Sequence, residues 1–483
     1  MITTSTNGNN LPGKAGRQIA LVGLGIYVVF APHSVAASVI GVGLAGLGWV
    51  IRTLQTRSFG LRWSKFDLII ALSLLWTVAS ALLSEEPRIS VAKLQASWCV
   101  FIFYLVRATL TRRSALILVA LLIVSASAGA LYSAFDLLRG RGVVVESIAP
   151  GSPFNQIGIR PGDTIWQINR RRVYSTTDID QILTQTPPNT AVTAGLITHG
   201  EQVERSFTSS QPSASGVIGS QSNHRFRASG WTRHYETFAE LIQMIAQLAL
   251  GFALAHLRNH GPNRIFRIAI IAAALLTAAL VFTAMRTVII AFVIGASVLA
   301  LRSLRATLRV VFTFALFAVL AFAAVVVWQT RDRNALLLGD PSSSLRYQVA
   351  SNGLSRILIH PVFGHGMDAM QLHWNEWGFP GKDMLHLHST PLQLAFDRGL
   401  PMLALWLWMM ILFWLTIARA ARRAADLTDT NFYGILLGTL GALTGFLMSS
   451  LVNYNYGDAE VAMMFWFLMG TALSTDYADS SSA

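Results

Sequence analysis

This sequence predicts a mostly α, polytopic membrane protein with about twelve transmembrane helices and one small inserted α/β module. Three observations carry that reading. Of 483 residues, 53% are hydrophobic and only 13% are charged, about half the charged share of an average soluble domain. Mean hydropathy is +0.50. Apolar runs approaching the roughly 20 residues that cross a bilayer recur along the chain, and two long polar segments interrupt them.

The runs fall at 18–31, 34–51, 66–84, 94–110, 114–135, 235–257, 265–283, 286–303, 308–328, 394–418, 431–453 and 457–475. The first two share a turn at Ala31, Pro32 and His33, so they read either as two short helices or as one bent one. The first run, preceded by Lys14 and Arg17, has signal-anchor character and no convincing cleavage site, so it is expected to stay. Charge sets the orientation. With the N-terminus in the cytoplasm, every inside segment is basic: Arg52, Arg57, Arg62 and Lys65; Arg107, Arg112 and Arg113; Arg258, Arg264 and Arg267; Arg302, Arg305 and Arg309; Arg419, Arg422 and Arg423. The short outside loops hold Glu85, Glu86, Asp458 and Glu460. This is the positive-inside pattern. It places 136–234 and 329–393 outside, in the periplasm if the membrane is a bacterial inner membrane. The net charge of +13 is scattered between apolar segments, so the expected partner is a lipid bilayer and not a nucleic acid. The lone Cys99 excludes an intramolecular disulfide and says nothing about redox compartment.

The expected organisation follows. Helices one to five occupy 1–138, a soluble module 139–208, a linker and lead-in 209–234, and helices six to nine 235–328. An outer loop covers 329–393. Helices ten to twelve and a cytoplasmic tail complete 394–483. In 139–208, strand-like stretches such as 142–148 and 191–197 alternate with turn signals. The run from Ile148 to Asn169, IAPGSPFNQIGIRPGDTIWQIN, closely resembles a bacterial PDZ domain. The resemblance implies that 177–185 is the helix beside a peptide groove, that the carboxylate-binding loop lies near 139–142, and that a peptide or protein C-terminus adds as an extra strand. A rigid spacer without ligand is the alternative. Residues 208–223, rich in Ser and Gly, read as a flexible linker.

The outer loop 329–393 is dense in His, Arg, Trp and Gly. An amphipathic segment led by Arg346 runs to His360, then come Pro361, Gly364 and Gly366, and later His388, Leu392, Asp397 and Gly399. This arrangement resembles the O-antigen ligase and polymerase superfamily, with Ser389 in place of a usual Asn and Pro401 in place of a Gly. Arg286 fits that family's Arg at the mouth of a span, and Arg227 to Gly230 its usual lead-in. The resemblance implies a metal-independent glycosyltransferase without cofactor. It would move a glycan from undecaprenyl diphosphate to a lipid or glycan acceptor, with His388 as general base. Repeat-unit polymerisation is the alternative within the class; a transporter or a PDZ scaffold are those outside it.

The residue chemistry fits independently. Arginine forks suit the oxygens of a leaving diphosphate, which selects Arg286 and Arg346. A histidine whose usual pKa is about 6.5 can accept a hydroxyl proton near neutrality. His365 and His386 compete with His388 for that role, and Arg356 for the phosphate. Trp374 and Trp377, with Phe379, either line a sugar path or belong to an interfacial belt. Asp368, Glu376 and Asp383 read as loop solvation. No zinc-ligand spacing is visible, so no metal is expected.

Overall fold

The computed structural model describes residues 13–140, 142–198, 201–209, 215–221, 227–232, 234–330, 341–381, 386–425 and 429–474. Asp383, parts of the supposed linker (210–214 and 222–226) and the tail from 475 lie outside the described residues. The helices are α1 (Lys14–Phe30), α2 (Val35–Thr56), α3 (Lys65–Leu83), α4 (Pro87–Lys93), α5 (Phe101–Thr109) and α6 (Arg112–Arg139). In the inserted module come α7 (Pro153–Gln156) and α8 (Thr176–Thr184). Then follow α9 (Tyr235–His260), α10 (Arg264–Phe282), α11 (Arg286–Ser303), α12 (Ala306–Thr330), α13 (Pro341–Ile357), α14 (Ala369–Leu372), α15 (Thr390–Ala424), α16 (Thr430–Ser450) and α17 (Ala459–Ala472). Among the described residues, 10 helical stretches are long and apolar enough to cross a membrane, and α17 is a shorter apolar helix. The chain is a multi-pass membrane protein.

The first two runs are two helices, antiparallel and in close contact. A Cβ on Gly23 would meet the backbone of Ala45 at 2.3 Å, and one on Gly48 would meet Ala20 at 2.3 Å. Small residues let helices approach this closely where no hydrophobic effect drives them together. Ser34 caps α2 by accepting from the Ala37 amide.

Burial sorts the other spans. The apolar window of α9 is 100% buried and that of α16 is 89% buried, whereas α12 is 22% buried. Hydropathy runs the opposite way, 1.7 and 1.5 against 2.9. The lipid-facing helix must be apolar all round, while the central pair can carry Glu240, Gln243 and Gln247 on α9 because protein surrounds them. Gly251 and Gly438 bring the pair together; a Cβ on Gly251 would lie 2.3 Å from the Gly438 amide.

Two helices depart from regular spans. Between α4 and α5 the chain winds as a 3-10 segment, Leu94–Val100. α15 is broken at Gly399, with φ 79° and ψ 170°, a conformation that glycine alone adopts readily. A Cβ there would also lie 1.8 Å from the Val362 carbonyl. The helix expected from 394 therefore has two parts: Thr390–Arg398 precedes the break, and the longer part resumes beyond Gly399. Pro401 stands in the first turn after the break, where a fixed φ and a missing N–H are tolerated.

The inserted module is a six-stranded antiparallel sheet in the order β5-β4-β2-β1-β6, with β3 paired to β2. Its strands are β1 (Val143–Ile148), β2 (Thr164–Ile168), β3 (Arg171–Arg172), β4 (Thr190–Thr198), β5 (Glu201–Ser209) and β6 (Val217–Gln221). β6 pairs antiparallel with β1 from Val143 opposite Gln221 to Ile148 opposite Val217. The module thus reaches past 208 into the supposed linker, where Val217–Gln221 forms the edge strand beside β1. Charged contacts seat the module on α6. Arg172 donates to Asp136 at 3.0 Å and to the Tyr132 hydroxyl at 2.8 Å, and the Tyr174 hydroxyl donates to Asp136 at 2.9 Å.

Candidate active site

A cavity of about 410 Å³ opens in the bundle, lined by residues from α3, the 3-10 segment, the first turns of α9, the 367–371 stretch, α15 and the turn between α16 and α17. Its polar lining includes Lys93, Glu236, Glu240, Asp368, His386, His388, Asp397, Arg398, Asn453 and Asn455.

The wall carrying the histidines is built by one backbone pairing. Segment 361–366 lies against 396–400: the His365 amide donates to the Phe396 carbonyl at 2.8 Å, Gly366 to Asp397 at 3.0 Å and Leu400 to Pro361 at 2.8 Å. Gly364, at φ 72°, allows this; a Cβ there would sit 2.5 Å from the carbonyl carbon of Asp397. The two glycine motifs of the sequence are therefore the two halves of one contact.

Ahead of α15 the three residues 386–388 meet different surroundings. Leu387 is 1% exposed and packs into the apolar core of the outer loop, while His386 and His388 line the cavity. The Leu387 amide donates to Gln393 Oε1 at 2.7 Å, and Gln393 Nε2 donates to Asp397 at 2.8 Å. Ser389, at the position of the family's Asn, caps α15 by accepting from the Leu392 amide. The imidazole rings of His386 and His388 stand 4.2 Å apart, edge to face. The His388 amide donates to His386 Nδ1 at 3.2 Å, so the His386 proton sits on Nε2. His388 has φ 51°, in a region that non-glycine residues rarely occupy and that clusters at functional sites.

Burial pushes the His388 pKa down to about 3, with the charges of His386 and Arg346 acting in the same direction. Burial likewise lowers His386. Both rings are neutral at pH 7. Arg346 on α13 approaches Glu236 on the cavity rim, Nη2 to Oε1 at 3.6 Å, and its Nε is buried without a hydrogen-bond partner in the protein. The Nε of Arg398, on the cavity wall, is in the same state.

Arg286 does not line the cavity but opens α11, whose first turn has no side-chain cap. The next residue, Thr287, accepts from Asn453 Nδ2 at 3.2 Å, and Asn453 forms part of the wall. Glu240 holds that wall in place, accepting from Ser449, from Asn453 at 3.2 Å and from Asn455 at 3.4 Å. Arg286 thus adds its charge to a helix N-terminus, where backbone N–H groups already favour anions.

The remaining expected residues sit elsewhere. His365 is fully buried, stacked on Phe396 at 4.7 Å and 4.8 Å from Trp377. Trp374 and Trp377 are 6% and 8% exposed and form the aromatic core of the outer loop. The guanidinium of Arg356 lies over the Trp377 ring at 5.3 Å. None of these four lines the cavity; the rings that looked suited to a sugar pack against each other. The sequence reading passed over Lys93, Glu240 and Arg398. Glu240 had a signal, since an ionisable residue inside an apolar run is a functional candidate.

Residues 271–407 match the family model described as O-antigen ligase, a stretch that includes Arg286, Arg346 and His388. Residues 144–194 match a PDZ domain model. Over 66 residues the chain is 32% identical to the magnetosome formation protease MamE of Magnetospirillum gryphiswaldense, covering 14% of this chain and 8% of that protein. The chain is thus a multi-pass membrane protein with a segment that matches the O-antigen ligase model and an inserted module that matches a PDZ domain. These matches concern the two segments 271–407 and 144–194.

Proposed function

We propose that the protein moves a glycan from undecaprenyl diphosphate to an acceptor hydroxyl at the periplasmic face of the bacterial inner membrane. His388 acts as general base. The supporting observation is a neutral imidazole, held at positive φ in a cavity wall, within the field of Arg346.

The step is a displacement. The acceptor O–H gives its proton to His388 as the oxygen attacks the anomeric carbon. The bond from that carbon to the diphosphate oxygen breaks, and its electron pair leaves with undecaprenyl diphosphate. Attack from the opposite side inverts the anomeric centre. Arg346, with its unpartnered Nε, and Arg398 offer forked donors to the leaving group. Arg286 and the first turn of α11 add positive potential beside the Asn453 wall.

A base with a pKa near 3 is weak, and the donor itself works against this. A diphosphate bound near Arg346 offsets that guanidinium's share of the shift, which is smaller than that of burial, and adds negative potential beside the ring, so it moves the pKa upward. The test supplies purified protein with a lipid-linked glycan and measures released undecaprenyl diphosphate. Wild type should release it and His388→Ala should not. An active His388→Ala variant removes the base from this mechanism.

A further inference from the structure

We infer that Glu85, His360 and His365 form a site for a divalent transition-metal ion, Zn²⁺ foremost, behind the wall of the cavity. One oxygen and two imidazole nitrogens, each from a different one of these side chains, lie within 4.8 Å of one another. Glu85 Oε2 is 2.5 Å from His365 Nδ1 and 3.6 Å from His360 Nε2. Ligands of a tetrahedral zinc, at about 2.0–2.1 Å from the ion, stand roughly 3.3 Å apart. Movements of about an ångström in the two exposed side chains, Glu85 and His360, therefore complete the triad.

The hydrogen bond on the far side of His365 carries the inference further. Its Nε2 faces the Arg356 carbonyl oxygen at 2.9 Å. A carbonyl only accepts, so Nε2 bears a proton, and Nδ1 is the nitrogen turned towards Glu85. A carboxylate oxygen and a ring nitrogen at this separation require a cation between them, either a proton or a metal. A metal-binding histidine typically gives its other N–H to just such a carbonyl. Phe396 and Trp377 lock the ring, and its side chain is 0% exposed. The half-exposed Glu85 and His360 leave a further coordination position open towards solvent. Two nitrogens and one oxygen suit zinc, whereas magnesium and calcium take oxygen sets.

None of the three residues lines the cavity, so the ion takes no part in the proposed transfer step. It would tie the turn after α3 to the stretch that pairs with α15. The Glu86 amide already donates to the His365 carbonyl at 3.1 Å, and Gly366 next to it bonds the cavity wall.

The test needs no glycan, so its outcome is separate from that of the proposed activity. Full-length protein in detergent is stripped with a chelator, exposed to Zn²⁺, and passed through gel filtration for metal analysis; Co²⁺ loading gives a visible absorption readout. About one equivalent should stay with the wild type, and Zn²⁺ should raise its Tm. Glu85→Gln and His360→Ala alter exposed side chains, should fold, and should each lose both the metal and the Tm shift. Failure of the wild type to retain stoichiometric metal, as a simple imidazole–carboxylate pair would give, overturns the site. So does undiminished retention in either variant.

Discussion

Residues 360–379 and 386–399 read alike in the sequence: both mix histidine, aspartate, an aromatic ring and glycine. Folded, they do opposite work. The first turns inward, and His365, Trp374 and Trp377 pack with Phe396 as the core of the outer loop. The second presents His386, His388 and Arg398 to the cavity and buries Leu387 behind them. Composition marks both stretches alike, but their partners separate them: one set of side chains packs together and the other lines the cavity.

The sharpest way to break this comparison is to cut one side chain from each stretch. His388→Ala should lower release of undecaprenyl diphosphate by about 10²–10⁴-fold, the range for loss of a general base, while its Tm stays near wild type. Trp377→Ala should do the reverse. Removing a large buried ring costs about 3–5 kcal/mol, so its Tm should fall in a thermal melt while activity per folded molecule holds. A Trp377→Ala protein that folds normally and has lost activity would return that ring to the sugar path.

A smaller effect separates charge from shape at the phosphate end. Arg346→Lys keeps the charge that acts on His388 but loses the planar fork. A charge-assisted hydrogen bond contributes about 1.5–3 kcal/mol, so kcat/KM for the lipid-linked donor should drop by about tenfold or more. Arg346→Gln should drop further, since it also removes the charge. Equal activity in Arg346→Lys and wild type would show that only the charge matters.

Much of this fold was legible because bilayer physics is severe. Apolar runs located the helices, the run 148–169 located the inserted module, and the glycine motifs marked the two stretches that the fold brings together at Gly364 and Gly399. Three things were hidden. The edge strand Val217–Gln221 lay in a Ser/Gly-rich stretch, and only its pairing with β1 reveals it as a strand. The Asn453 to Tyr456 turn read as span ends, yet it folds back to line the cavity. Glu85 is 275 residues from His360, and no local spacing announces a meeting across that distance. Spacing finds ligands that share an element and misses those that a fold brings together.

The finest test of the cavity wall is a pH profile. The folded-state pKa of His388 is lowered to about 3 from its usual 6.5. In the free protein the base therefore stays deprotonated as pH falls through 6.5, and kcat/KM should show no acid limb from His388 between about pH 7 and 5. Stability carries the opposite sign. Below 6.5 the unfolded chain gains a proton that the folded ring refuses, so His388 destabilises the fold increasingly as pH falls from 6.5 towards 3. His388→Gln removes that group, and its Tm should decline less than the wild-type Tm over the same acid range. A wild-type kcat/KM limb centred near 6.5, abolished together with the Tm difference, would mean that the ring is open to solvent and that its neutrality comes from ordinary titration and not from the wall around it.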